Sequence, residues 1–223
     1  MKLRFLVDCV RHRPTFTLGD MARRRQEVIR RLKAEGVFDL NKQLALPPFA
    51  QRIAVISSET AAGYGDFCNQ LDTNQFGFAF TVTLFPAIMQ GERTARSIIA
   101  ALNAVNAEAA NYDCVVVIRG GGATSDLSAF DSLELAENVA NFPLPVITGI
   151  GHERDESVVD MVAHTRAKTP TAAAALLVDN LKRTAERIDR ARDAIATAVT
   201  AAWTSSGCAL HAWRSACLCC SPS

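Results

Sequence analysis

Pro145-Val146-Ile147-Thr148-Gly149-Ile150-Gly151-His152-Glu153-Arg154-Asp155 opens as a short apolar run behind a proline and closes on a histidine and a carboxylate. Such a run reads as a buried parallel strand. Gly149 and Gly151 break it where the backbone must bend sharply or lie close to something. His152 follows at once, with Asp155 three residues on. If Gly151-His152 opens a helix, that spacing sets imidazole and carboxylate side by side on its first turn. Helix amides, a histidine and a carboxylate at the mouth of a strand suit chemistry on a phosphate. A capped helix start with an incidental histidine accounts for the same residues.

Upstream, the chain alternates strand and helix patterns. Residues 52–57 (RIAVIS) read as a strand and 59–71 as a helix interrupted by Gly63 and Gly65. Residues 78–85 read as a second strand, followed by Pro86 and a helix over 91–105. Residues 113–118 (DCVVVI) form a third strand, then come Arg119 and three glycines, a helix over 128–140, and the fourth strand at 145–148. Unbroken apolar strands alternating with helices predict an α/β fold: a mainly parallel, Rossmann-like sheet of about four strands, covered by helices. In such sheets ligands bind outside the carboxyl ends of the strands. The unusual residues fall there: Ser57 to Asp66, Gln90-Gly91, Arg119 to Gly122, and Gly149 to Asp155.

Flanking this core (48–168), residues 1–16 have partial strand character without an obvious partner strand, and 17–47 form a linker. The linker carries a helix over 18–33, capped by Thr17 or Asp20 and stopped by Gly36. Its Arg23, Arg24, Arg25, Arg30, Arg31 and Lys33 fit a solvated face, or a contact to a phosphate backbone. Leu46-Pro47-Pro48 is a hinge. From Thr169-Pro170 a long helix is expected to about Thr200, since proline suits a first turn. Leu177, Leu181, Ile188, Ile195 and Val199 give it an apolar row, either a stalk for a partner helix or a face packed back on the sheet. The end, 204–223, resembles nothing before it and is expected to be a disordered or foreign tail.

The chain of 223 residues has a net charge of +1, so any basic surface must be local. No apolar run approaches the roughly 18–20 residues of a membrane span, and the charged N-terminus is wrong for a signal peptide. A cytoplasmic location is expected. Three of the seven cysteines are scattered and four crowd the tail. With His211 they form no pair of paired zinc ligands.

At the rim, Arg119-Gly120-Gly121-Gly122 offers a guanidinium fork and a loop whose amides can approach an anion, although a tight turn also explains the glycines. Asp66 follows two glycines; an exposed helix aspartate is its plain alternative. Arg166 and Lys168 add positive charge. Two carboxylates, a histidine, an arginine and amide donors make a phosphoryl-transfer set. Neither GxxxxGK[ST] nor GxSxG occurs.

Four segments carry a resemblance: RIAVISSETAAGYGD (52–66), FPAIMQGERTA (85–95), DCVVVIRGGGATSDLSAFD (113–131) and PVITGIGHERDESVVDMVAHTRAKTPTAAA (145–174). In this order and spacing the chain resembles the large subunit of exodeoxyribonuclease VII over about residues 3–178. It departs at Ser125, Ser157, His164 and Ala175, where that family commonly has an acidic residue, threonine, aspartate and glutamate. The resemblance implies cleavage of single-stranded DNA from either end to short oligonucleotides. It implies Asp66, Arg119, His152 and Asp155 as catalytic residues. Gln90, Gly120, Gly121, Gly122, Gly151 and Arg166 are expected to hold the strand. No cofactor is expected to be required, although two aspartates can bind Mg²⁺ weakly through waters. The resemblance further implies a missing oligonucleotide-binding barrel, whose last strand residues 1–16 would be, and small subunits gathered on the C-terminal stalk. The competing reading is a non-catalytic module that holds nucleic-acid phosphate without cutting it.

Overall fold

The computed structural model describes residues 18–119, 124–150 and 156–218. The expected strand at 2–12 and the site residues Gly120, Gly121, Gly122, Gly151, His152 and Asp155 lie outside the described residues.

Helix α1 spans Leu18–Ala34. It ends in a left-handed Gly36, φ +73°, with Gly36 N–H bonded to Lys33 O and Val37 N–H to Leu32 O. That pair of bonds is a Schellman stop, which favours glycine at this position. The alternation then follows as β1 (Arg52–Ser57), α2 (Ala62–Asp72), β2 (Thr81–Pro86), α3 (Thr94–Ala107) and β3 (Cys114–Ile118). It continues with α4 (Leu133–Ala140), β4 (Val146–Gly149), α5 (Val158–Val162), β5 (Thr165–Arg166) and α6 (Pro170–Leu218).

The strands pair in parallel in the order β2-β1-β3-β4-β5. The sheet therefore has five strands where the sequence suggests about four. Two residues carry no apolar run to betray β5; its register opposite Ile147 and Thr148 and the bond from Ala167 N–H to Thr148 O hold it.

Alternation along the strands splits the core. Ala54, Ile56, Val115 and Val117 face α3, α4 and α5, with Leu32 of α1 packed among them. Ile53, Val55, Val116 and Ile118 face Phe67 and Leu71 of α2 and Leu177 of α6. Helices thus cover both faces. The helix expected over 128–140 is two pieces, a 3-10 stretch at Thr124–Asp131 and then α4. The break is Ser132, extended at φ −75° and ψ 135°, whose side chain caps α4 by accepting from Leu135 N–H.

Helix α6 packs back on the sheet at its start and leaves an apolar row exposed beyond it. Leu177 and Leu181 are buried, and Thr184 and Asn180 donate to the Pro48 and Pro47 carbonyls. Ile188, Ile195, Val199 and Trp203 stand exposed. Lys182 lies over the Phe76 ring, 5.1 Å from its centre. The backbone stays helical to Leu218, past the expected end of the helix at about Thr200. The alanine-rich segment meets no proline before Pro222, so nothing in the backbone ends the helix sooner.

Candidate active site

The strand order puts the reversal of winding between β1 and β3, where β1 leads outward to β2 and the chain then crosses back. Ligands of doubly wound sheets lie at the carboxyl ends of the strands flanking that reversal. Here those ends deliver Ser57 with its following loop, and Arg119.

Arg119 is the first residue beyond β3 and is 7% exposed. Its N–H donates to Gly149 O at 3.4 Å, so the ends of β3 and β4 lie side by side. Behind them, a Cβ on Gly149 would stand 3.5 Å from the Pro170 backbone and Thr169 O. The start of α6 therefore backs directly onto this strand end. Asp66 lies one turn into α2, exposed to solvent. Arg166, opposite Thr148 in the sheet, is ion-paired to Glu156 at 3.5 Å. That pair ties β5 to the residue that follows the segment carrying His152 and Asp155.

Three further residues, Asp131, Ser157 and Asp160, order this edge. The Asp131 carboxylate accepts from Val158 N–H at 2.8 Å and from Arg25 at 3.3 Å. It thereby joins α1, the 3-10 stretch and the start of α5. Ser157 and Asp160 form a reciprocal capping box at that same start, which fixes where the chain re-enters helix after Asp155.

On the other side of β1, a cleft of about 550 Å³ opens between the loops that follow β1 and β2. Ser58, Thr60, Ala61, Ala62, Ile88 and Gln90 are among its walls, so Gln90 sits on a concave surface. Ser58 and Thr60 fall within the segment 57–66 that the sequence places at this rim.

Cys68 and Cys114 are free thiols. Burial pushes Cys114 up to about 12, which keeps it protonated in the core.

A family model described as "Exonuclease VII, large subunit" matches residues 37–222. Among curated proteins, the chain is 41% identical to the exodeoxyribonuclease 7 large subunit of Cyanothece sp. over 163 residues, 73% of this chain and 38% of that protein. It is 38% identical to that of Deinococcus radiodurans over 202 residues, 85% of this chain and 48% of the relative. The Nostoc sp. protein of the same name is 41% identical over 164 residues, 74% and 39% of the two chains. The chain thus spans less than half the length of these curated relatives.

Proposed function

The chain belongs to the exonuclease VII large-subunit family, and from that premise we propose that it carries the domain that hydrolyses phosphodiester bonds of single-stranded DNA to short oligonucleotides. The observation that carries this reading is the position of Arg119. It is the first residue out of β3 at the reversal of winding, and its amide is bonded to the strand end that leads to His152.

In this proposal the Arg119 guanidinium stabilises charge gathering on the non-bridging phosphate oxygens, together with amides of Gly120, Gly121 and Gly122. Water attacks phosphorus, the bond to one bridging oxygen breaks, and His152 moves the proton as general acid or base. Asp155 orients the imidazole or the water, and Asp66 orients water. Gln90, Gly151 and Arg166 hold the strand. Mg²⁺ would be bound by Asp66 and Asp155. Among the described residues no three His, Cys, Asp or Glu side chains gather as a metal site.

The exposed row Ile188, Ile195, Val199 and Trp203 on α6 is the surface proposed for the small subunits of the enzyme. No helix among the described residues is long and apolar enough to cross a membrane, and the proposed location is the cytoplasm.

End-labelled single-stranded DNA tests the reading. The parent chain is expected to shorten it, and His152→Ala to do so roughly a hundredfold more slowly while still binding the strand. A parent that retards the strand intact makes this a binding module. An undiminished rate in His152→Ala removes the histidine from the mechanism.

A further inference from the structure

We propose that the groove between α3 and α4 is a docking site for an arginine side chain carried on an extended segment of a partner polypeptide. The groove opens at the amino edge of the sheet, beside Phe142 and Pro143, which lead into β4. Arg119 and the reaction crevice lie at the opposite edge, and the proposal does not rest on the nuclease reading.

Asparagines line the groove in two pairs. Asn103 and Asn106 are at i and i+3 on α3; Asn138 and Asn141 repeat that spacing on α4 and at its cap. Residues so spaced share one helix face, so each helix presents two amides to the same space. On α4 the amides are already oriented. Asn138 donates to Glu134 O at 2.8 Å and Asn141 to Glu137 O at 2.9 Å. Their NH₂ groups thus fold back on the helix and leave each Oδ1 as an acceptor. The side chains of Asn103 and Asn106 make no hydrogen bond among the described residues.

A second observation, independent of the amides, sets the sign of the ligand's charge. Glu137 lines the same groove, half-buried, and its carboxylate has no ion pair among the described residues. Both helices also end here, α3 at Ala107 and α4 at Ala140, and neither has a basic residue in its last turn. Two negative helix ends and a carboxylate therefore stand together uncompensated. The groove attracts a cation and repels DNA phosphate.

Size and geometry select among cations. The groove holds about 230 Å³, less than the roughly 300–1,000 Å³ of small-molecule pockets, so it suits one long side chain. A hard divalent ion draws on several oxygen ligands, carboxylates prominent among them, and here a single carboxylate stands among amides. A guanidinium spreads its donors around a planar fork, which matches several neutral acceptors beside one acid, whereas an ammonium is a compact point charge. Phe142 and Pro143 give the aliphatic stem an apolar wall. Asn41 donates to the Phe142 carbonyl at 3.1 Å, so that wall is held in place before a partner arrives. Asn103 and Asn106, each with donor and acceptor unspent, are matched to the peptide groups on either side of the arginine. That is why the occupant is a polypeptide segment rather than the free amino acid.

Short peptides test the site. In the parent chain, end-blocked Ala-Ala-Arg-Ala-Ala should shift the side-chain amide resonances of Asn103, Asn106, Asn138 and Asn141 and reach saturation. Replacing its arginine by citrulline keeps the shape and removes the charge, and should weaken binding roughly tenfold or more, the scale of a hydrogen-bonded charge. Glu137→Gln should weaken the arginine peptide by a similar factor and leave the citrulline peptide unchanged. Asn106→Lys tests the site with opposed signs. A cation in the last turn of α3 stabilises the helix, so the melting temperature rises, while the lysine takes the place of the arginine and peptide binding is lost. It serves also if the glutamine variant does not fold. No saturable shift in the parent, or equal affinity for the arginine and citrulline peptides, overturns the site. Mg²⁺ or oligothymidylate moving these amides where the arginine peptide does not overturns the choice of occupant. Full peptide affinity in both variants removes Glu137 and the groove from recognition.

Discussion

At the amino edge of the sheet the start of each strand is met by a side chain, whereas at the carboxyl edge buried hydroxyls have no partner. Asn41, fully buried, accepts from Val146 and His164 N–H and donates to the Phe142 and Leu144 carbonyls, clamping the entries to β4 and β5. His164, which stands where the family commonly has aspartate, adds a ring nitrogen 3.0 Å from Leu44 O. Asp113 accepts from Gln51 and Arg52 N–H at the start of β1 and pairs with the Arg52 guanidinium. Gln51 reaches Ala79 O, and Asn74 bonds Phe78 on both its N–H and its O, ahead of β2. Across the sheet, the hydroxyls of Ser57, Thr94 and Thr148 are buried and unbonded. The difference teaches where this fold satisfies its buried polar groups and where it does not. Satisfied polar networks rigidify an edge, and incompletely satisfied ones mark sites.

The largest break in that comparison is expected from Asn41→Ala. It strands two N–H groups and two carbonyls beside the sheet, which should cost about 3 kcal/mol or more. Urea unfolding measures it, and a loss below about 1 kcal/mol would remove the amino-edge clamp from the account. A smaller effect concerns acid. Burial pushes the Asp113 carboxyl up, but hydrogen bonds from Arg52 and from the two amides more than offset it, so the group sits below its ordinary value. Its contribution is therefore present above the unfolded carboxyl value of about 3.9 and lost as pH falls through the lower folded value. Asp113→Asn should cost on the order of 1 kcal/mol at pH 6, where solvent screens the pair. The gap to the parent should close as unfolding is repeated toward pH 2.5; a gap independent of pH would exclude the charge as its source. The smallest change sharpens the contrast from the other side. Thr148→Val deletes an unbonded hydroxyl while keeping its shape, and should be neutral or stabilise by about 1 kcal/mol. A cost matching that of Asn41→Ala would make the two edges alike.

Residue pattern carried much of this molecule. The apolar runs at 52–57 and 113–118 are legible because strands buried on both faces need no polar alternation. Gly36 announces the end of α1, and Thr169-Pro170 the start of α6, because their backbone preferences are local. β5 was not legible: two residues hold no periodicity, and only pairing with β4 makes them a strand. Nor was the break at Ser132, where the cap prevails over a continuous helical pattern. In the site, Arg119 and Gln90 could be placed on the rim from the alternation of elements alone. Asp131 could not, since its partners Arg25 and Val158 are distant in sequence.

By itself, then, the sequence determined the class of fold, the placing of Arg119 and Gln90 at the carboxyl edge and the family, because these follow from local preferences and from motifs in a fixed order. Only the tertiary structure decided that the winding reverses between β1 and β3, that Asn41 closes the far edge, and that Ser57 is buried without a partner beneath α2. Strand order and hydrogen-bond satisfaction depend on which distant groups meet, and a one-dimensional pattern does not encode those meetings one residue at a time.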